Sequence, residues 1–199
     1  MKIAVIGTGH MGSGLGQAFA KGNEVIVGSR DPDKAAQVAK NIDAAGGATY
    51  ADAARDAEVV VLTVPWAAVE ETIGELGDLS GKILIDVTNP YGPQGLENVE
   101  PSSSEEVQRL APDAKVVKGW STVYARNLLA PDFDGVAASV LICGDDAAAK
   151  DVVIALAKEA GFDPVDVGPL SQAASLTRLL GVLGELRLGP DTQLRILRR

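Results

Sequence analysis

The chain has 199 residues, 46% of them apolar and 23% charged, which is enough for one substantial folded core. Its net charge is −9, so the surface repels phosphate backbones and we expect no binding to nucleic acid. With one cysteine (Cys143) and one histidine (His10), the sequence offers neither an intrachain disulfide nor the ligands of a zinc site, and we expect no metal centre.

The sequence has no membrane-spanning run, which would need roughly 18 consecutive apolar residues. Only four apolar residues separate Lys2 from Gly7, and these are too few for a secretion signal. We therefore expect no membrane association and a cytoplasmic location.

Short apolar runs alternate with amphipathic stretches along the whole chain. The runs predict strands that are buried on both faces, at residues 3–6, 25–27, 59–62, 83–85, 116–117, 140–142 and 165–167. This alternation predicts an α/β fold with a Rossmann-like, doubly wound and mostly parallel sheet. We expect it to occupy residues 1–168.

Local signals mark several helix ends and one long loop. Asp31 followed by Pro32 predicts an N-cap and a first turn, and Ser102 opens overlapping capping boxes. Gly161 predicts the end of another helix. The loop 89–101 contains three prolines and two glycines, and its length makes it a candidate functional loop.

The C-terminal part, residues 169–199, predicts a helical extension that is not an independent domain. Between Leu170 and Leu186 it is apolar around much of a helix, with Gly181 and Gly184 as close-packing positions. Such a helix must bury its surface, so we expect a homodimer formed through it.

The segment GTGHMG at 7–12 places a G-x-G-x-x-G turn between the first strand and a helix. These glycines allow the tight turn, the approach of a pyrophosphate and close packing of helix on strand, and the helix N-terminus attracts the phosphates. The segment predicts a dinucleotide site formed by Gly7, Thr8, Gly9, His10, Met11 and Gly12. The alternative is an ordinary strand-to-helix turn. We expect His10 to border the phosphates or cap the turn, not to transfer a proton.

The second strand ends in Gly28-Ser29-Arg30, where NAD-binding folds carry a carboxylate for the ribose 2′-hydroxyl. Ser29, Arg30 and Lys34 are donors suited to a 2′-phosphate. Asp31 is expected to turn its carboxylate toward the next helix as a cap. The pattern favours NADP over NAD, with a solvated basic face as the alternative.

Taken together, these residues resemble the coenzyme F420-dependent NADP oxidoreductases, a family whose domain also appears in membrane ferric reductases. The resemblance covers nearly the whole chain. It rests on GTGHMG (7–12), VGSRDPDKA (27–35), LTVPW (62–66), DVTNP (86–90), VVKGWSTVYA (116–125), ICGDD (142–146) and DVGPLSQA (166–173).

The resemblance implies an oxidoreductase that transfers a hydride between NADP(H) and the deazaflavin coenzyme F420. Residues 1–168 would bind NADP, and Val64, Pro65 and Asn89 would flank its nicotinamide half. The protein would promote hydride transfer by holding the two rings in position, with no catalytic acid or base.

The sequence departs from that of many relatives around the site that the resemblance implies for the deazaflavin. Many relatives read Lys-Ala-Phe-Asn-Thr where residues 118–122 here read Lys-Gly-Trp-Ser-Thr. Trp120, Tyr124 and the leucine-rich helix are candidate walls for the second ring, and Lys118 and Arg126 are candidate partners for its anionic tail. Core packing is the alternative for Trp120 and Tyr124.

Two other functions stay open at this point. The chain could be an NADPH-dependent reductase of another acceptor, such as a flavin, a metal chelate or a small imine or keto substrate. It could also be an NADPH-sensing module without chemistry that acts on a partner through its terminal helix.

Overall fold

The computed structural model describes residues 1–186 and 192–197. The strands are β1 (Lys2–Ile6), β2 (Glu24–Gly28), β3 (Gly46–Ala48), β4 (Val59–Leu62), β5 (Ile83–Asp86), β6 (Tyr91–Gly92), β7 (Gly95–Leu96), β8 (Lys115–Lys118), β9 (Asp132–Phe133), β10 (Val136–Ala137), β11 (Ser139–Gly144) and β12 (Asp163–Asp166). The helices are α1 (His10–Ala20), α2 (Pro32–Asn41), α3 (Tyr50–Arg55), α4 (Val69–Glu75), α5 (Ser103–Leu110), α6 (Ala147–Glu159) and α7 (Ala173–Glu185).

The main sheet has the strand order β12-β11-β8-β5-β4-β1-β2-β3. It is parallel from β3 to β8, which confirms the mostly parallel Rossmann-like fold. The apolar runs did not predict β3, because this edge strand reads Gly-Gly-Ala. Its composition follows from packing, since a Cβ on Gly47 would lie 2.2 Å from the backbone of Ala35 on α2.

The two strands beyond β8 run in the opposite direction. β11 pairs antiparallel with β8 through Cys143 opposite Lys118, and β12 is parallel to β11. The connection from β8 to β11 contains a short 3₁₀ turn and the β9–β10 hairpin. Parallel pairing of β11 with β8 would require a crossover connection, usually a helix. The segment between these strands contains no α-helix, which fits their antiparallel pairing.

The predicted helix caps are present. The Asp31 carboxylate accepts hydrogen bonds from the backbone N–H groups of Asp33 (3.1 Å) and Lys34 (3.2 Å). The Ser102 hydroxyl accepts one from Glu105 N at 3.2 Å. Both helix starts therefore follow from local sequence.

Helices cover both faces of the sheet. On one face α1 and α6 contribute Leu15, Phe19 and Val153 to a core with the strands. On the other face α3, α4 and α5 contribute residues such as Ile73 and Val107. Burial of the strands on both sides explains why they read as continuous apolar runs.

The C-terminal extension is helical over only part of its length. A 3₁₀ turn at Leu170–Gln172 leads into α7, whereas residues 192–197 are not helical. There the Leu194 carbonyl accepts a hydrogen bond from Ser139 N at 2.9 Å, so this tail lies beside the start of β11. The remainder of the predicted extension, 187–191 and 198–199, lies outside the described residues. Among the described helices, none is long and apolar enough to cross a bilayer.

Candidate functional site

A cleft of about 930 Å³ lies at the carboxyl ends of β1, β2, β4, β5 and β8. Open parallel sheets bind ligands at this edge. All of the predicted cofactor residues except Gly12 line the cleft, namely Gly7, Thr8, Gly9, His10, Met11, Ser29, Arg30, Lys34, Val64, Pro65 and Asn89. These predicted residues follow four different strands, β1, β2, β4 and β5, and the fold brings them together in one concave surface.

The glycine turn has the geometry of a phosphate site. Gly7 has a φ of +124°, and a Cβ on Gly12 would lie 2.2 Å from the Gly7 carbonyl oxygen, so neither position tolerates a side chain. A Cβ on Gly9 would meet nothing within 4 Å. The N-cap of α1 is Gly9, with no side-chain hydrogen bond to the first turn and no acidic residue in that turn. Free backbone N–H groups of this kind attract an anion.

The β2 end of the cleft carries two exposed cations. Arg30 and Lys34 are exposed at the rim, and Arg30 Nη1 lies 3.8 Å from the Glu71 carboxylate on α4. Ser29 is buried, and its hydroxyl oxygen accepts a hydrogen bond from Asp31 N at 3.2 Å. Because the Asp31 carboxylate is committed to capping α2, it leaves these cations available to a dianion.

The middle of the cleft is formed where β4 and β5 end. Val64 and Pro65 follow β4, and the Asn89 amide donates through Nδ2 to the Ser121 carbonyl oxygen at 2.8 Å. Within the described chain, Asn89 Oδ1 and the Ser121 hydroxyl are buried without hydrogen-bond partners. Unpaired buried polar atoms are rare in native folds. A polar group on a ligand at this end would supply their partners.

A buried polar network holds the end of β5 and the residues that lead from it to Asn89. Lys118 Nζ donates to Asp86 Oδ2 at 3.0 Å and to the Thr88 carbonyl oxygen at 2.6 Å. Asp86 also accepts hydrogen bonds from the hydroxyls of Thr88 and Ser104. Lys118 is fully buried and does not line the cleft, so its assignment to an anionic tail is corrected: it neutralises Asp86.

Trp120 is likewise placed in the core and not in the cleft. It is 1% exposed and packs edge-on against Phe19 and Phe162, with ring centroids 5.5 and 6.4 Å away. Its φ of +54° is unusual for a bulky residue and turns the chain sharply after Gly119. The prediction that Trp120 is a wall of the second ring's site is therefore replaced by a core role.

Tyr124 and Arg126 occupy two sides of one loop. Tyr124 is 38% exposed and lines the cleft, as predicted for a wall. Arg126 is exposed and lines a neighbouring groove of about 560 Å³ with His10 and Gln17, outside the main cleft. Only Tyr124 of the four tentative second-site residues thus reaches the cleft itself.

The structure adds Tyr91 and the segment 121–123 to the walls of the cleft, which sequence reasoning did not name, and they line the same end as Tyr124. Leu180 and Leu183 close this end, and they belong to α7, the leucine-rich helix that was expected to supply a wall. Burial raises the pKa of Tyr91, and Tyr124 raises it further. One signal for Tyr91 was available in the sequence, since it lies in the long loop 89–101.

The order of strands gives the cleft a direction. Cations lie at β2, the glycine turn lies at β1, and Val64 and Asn89 follow β4 and β5. Beyond them, at β8 and α7, aromatic and aliphatic groups surround the hydroxyls of Ser121 and Thr122. This sequence of environments suits an extended phosphorylated dinucleotide whose far end meets a second flat, largely apolar molecule.

Comparison with known proteins points in the same direction. A family model described as "NADP oxidoreductase coenzyme F420-dependent" matches residues 2–90. The chain is 33% identical to the F420-dependent NADP reductase of Methanocaldococcus jannaschii, over 92% of this chain and 91% of that protein.

Structural comparison extends the similarity over the whole length. A crystal structure of a candidate F420-dependent NADP-reductase from Arthrobacter sp. FB24 has a TM-score of 0.88 and 34% identity, covering 100% of both chains. Metalloreductase STEAP3 of Rattus norvegicus is 32% identical over 86% of this chain, which corresponds to 35% of that longer protein.

Proposed function

Because the chain belongs to the coenzyme F420-dependent NADP oxidoreductases, we propose that it transfers a hydride between NADP(H) and the deazaflavin coenzyme F420. One observation carries the proposal. A single cleft joins the glycine turn, the cations of β2 and the apolar end at β8 and α7.

The phosphate end supports NADP in place of NAD. Arg30, Lys34 and the Ser29 hydroxyl would donate to the 2′-phosphate, and the oxygen of that hydroxyl would also hold the turn by accepting from Asp31 N. The backbone N–H groups of residues 8–11 would bind the pyrophosphate at the start of α1. Ser29 lines the cleft although it is buried, and both cations are exposed at the rim of the cleft, where a phosphate could reach them.

The redox end would work by orientation. NADPH would supply the hydride at its nicotinamide ring and become NADP⁺, while the deazaflavin would accept the hydride together with one proton from solution. Val64, Pro65 and Asn89 would hold the nicotinamide half, while Tyr124, Leu180 and Leu183 would exclude water around the second ring. The proposal assigns no residue to proton transfer, and the polar groups at this end are hydroxyls and one amide.

The test is a stopped-flow measurement of the purified protein with NADPH and oxidised coenzyme F420, following loss of deazaflavin absorbance. Parallel runs with NADH, a free flavin and a ferric chelate separate the alternatives. Rapid bleaching with NADPH and slow bleaching with NADH are expected. Turnover of only flavin or chelate would contradict the choice of acceptor, and binding of NADPH without turnover of any acceptor would favour a sensor.

We also propose a homodimer formed through α7, in a cytoplasmic protein. Val182 of this helix and Leu186, its C-cap, are 52% and 56% exposed, which leaves apolar surface for a second copy. Light scattering at increasing concentration is expected to give twice the chain mass, and Val182→Glu is expected to halve it. A monomer at all concentrations would contradict the proposal.

A further inference from the structure

Gln193, in the tail segment 192–197, ties together two points of the loop 121–127. Its Nε2 donates to the Thr122 carbonyl oxygen at 3.0 Å. Its Oε1 accepts from Asn127 Nδ2 at 3.2 Å and lies 3.5 Å from Tyr124 N. One amide side chain therefore contacts the loop as both donor and acceptor, across about 70 residues of sequence.

The tail that carries Gln193 is fixed to the edge of the sheet. Ser139 holds it twice, donating through its backbone N to the Leu194 carbonyl oxygen (2.9 Å) and accepting from Ile196 N through its hydroxyl (3.0 Å). Arg195 Nη1 donates to the Ala137 carbonyl oxygen at 2.9 Å and pairs with Asp163 at 2.8 Å. Leu194 and Ile196 pack against the buried cluster of β11 and α7. Gln193 is thus presented to the loop from a rigid support.

The loop it holds is one wall of the cleft. Residues 121–125 all line the cleft. The backbone hydrogen bonds of this loop are those of short turns, from Val123 N to the Trp120 carbonyl, from Asn127 N to the Tyr124 carbonyl and from Leu128 N to the Ala125 carbonyl. Asn89 reaches Ser121 from the other side. Among the described residues, the amide side chains of Asn89 and Gln193 thus contact the loop from within the cleft and from outside it, and Asn127 of the loop also donates to the Thr192 carbonyl oxygen at 3.3 Å.

We propose that Gln193 is a positioning residue for the redox end of the cleft, which sets the distance between the Thr122–Tyr124 wall and the ring that lies against it. This inference rests on the proposed function for the identity of the ring. The clamp, meaning the contacts of the Gln193 side chain with Thr122, Tyr124 and Asn127, rests on the hydrogen bonds alone. It predicts an effect confined to the β8 end, because β5, β4 and β1 separate β8 from the cations of β2.

The kinetic test uses Gln193→Met, which retains side-chain length and removes every hydrogen bond. Gln37→Met is the matched control, because Gln37 is an exposed residue of α2 that bonds only to Asn41 in the described chain. We expect the single-turnover rate constant for hydride transfer at saturating substrates to fall by about 10- to 100-fold, as for a small misplacement of reacting groups. The Kd of 2′,5′-ADP, which reaches only the phosphate end, is expected to stay within about twofold.

Two results would overturn the proposal: an unchanged transfer rate, or parallel losses in transfer, 2′,5′-ADP binding and thermal stability. Gln193→Glu gives a further readout, since a carboxylate cannot donate to the Thr122 carbonyl until it is protonated. Its transfer rate relative to wild type is expected to recover between pH 7.5 and about pH 5, toward the ordinary range of a Glu. A ratio that does not change with pH would count against the donated bond.

A second measurement separates the clamp from the chemistry. Hydrogen exchange of the peptide covering 121–127 is expected to accelerate in Gln193→Met and to stay at the wild-type rate in Gln37→Met. If wild-type protein fails to reduce the deazaflavin, the proposed function is wrong. The exchange measurement still tests whether Gln193 holds the loop 121–127. Unchanged exchange in Gln193→Met would refute the clamp whatever the acceptor.

Discussion

Lys118 and Asp86 form an ion pair in the protein interior, with both side chains fully buried and 3.0 Å between Nζ and Oδ2. They face each other in the register of β8 and β5. Truncating one partner of such a pair leaves an uncompensated buried charge. We expect Lys118→Met to lower the free energy of unfolding by about 3 to 5 kcal/mol. Urea denaturation measures this, and the double variant with Asp86→Leu is expected to recover much of the loss. Additive losses in the double variant would contradict a coupled pair.

Asp86 also predicts a pH dependence. Burial by itself raises the pKa of its carboxyl, but the Lys118 charge and the hydrogen bonds from Ser104 and Thr88 bring the pKa below its usual value of 3.8. The contribution to stability is therefore complete above 3.8 and is lost as the pH falls through the lower folded-state value. Unfolding free energy measured from about pH 5 downward should fall more steeply in wild type than in the double variant. Equal slopes would exclude Asp86 as a source of acid sensitivity.

Arg30 is expected to distinguish the two nicotinamide cofactors. Arg30→Ala removes a charge-assisted contact of about 1 to 3 kcal/mol, so the Kd of NADPH should rise by about 5- to 150-fold and that of NADH much less. Titration calorimetry checks both. Glu71→Gln is the control, because it removes the carboxylate 3.8 Å from the guanidinium and should keep or tighten NADPH binding. Equal losses for both cofactors would mean that Arg30 stacks on the adenine.

Trp120 is expected to affect stability more than binding. Its side chain packs on Phe19 and Phe162 in the core, so Trp120→Ala should cost about 3 to 5 kcal/mol of unfolding free energy. The milder Trp120→Phe should lower the melting temperature and leave the Kd of NADPH and the KM for coenzyme F420 within about twofold. A large rise in the KM for coenzyme F420 at unchanged melting temperature would support the wall role for Trp120 and contradict the core role.

Cys143 is expected to be unreactive in the folded protein. Burial raises the pKa of its thiol to about 12, so the thiolate is scarce at pH 8. A thiol reagent such as DTNB should label the native protein slowly and the urea-unfolded protein fully. Fast labelling of the native state would mean that the region around β11 opens readily.

The pattern of residues predicted much of the fold and many of the residues that line one half of the cleft. Continuous apolar runs mark strands buried on both faces, and the Asp31 and Ser102 caps depend on neighbours within three residues. Gly7 to Gly12 and Ser29 to Lys34 are also contiguous segments, so their positions in the cleft follow once the strand ends are known.

The other half of the cleft could not be predicted in this way. Lys118, Trp120 and Tyr124 lie within seven residues of one another, yet they face a buried carboxylate, the aromatic core and the cleft. Lys118 is directed by its register in β8, whereas Trp120 has a positive φ, which no periodicity encodes.

By itself the sequence determined the doubly wound sheet, the phosphate turn and the preference for a 2′-phosphate, because each depends on local spacing and side-chain chemistry. Only the tertiary structure decided which groups line the β8 end of the cleft and what holds them. Tyr91, Leu183 and Gln193 come from segments far apart in the chain, and they meet near one loop because α7 and the tail fold back over the end of β8. Contacts between distant segments depend on the packing of the whole core, and local patterns carry no record of them.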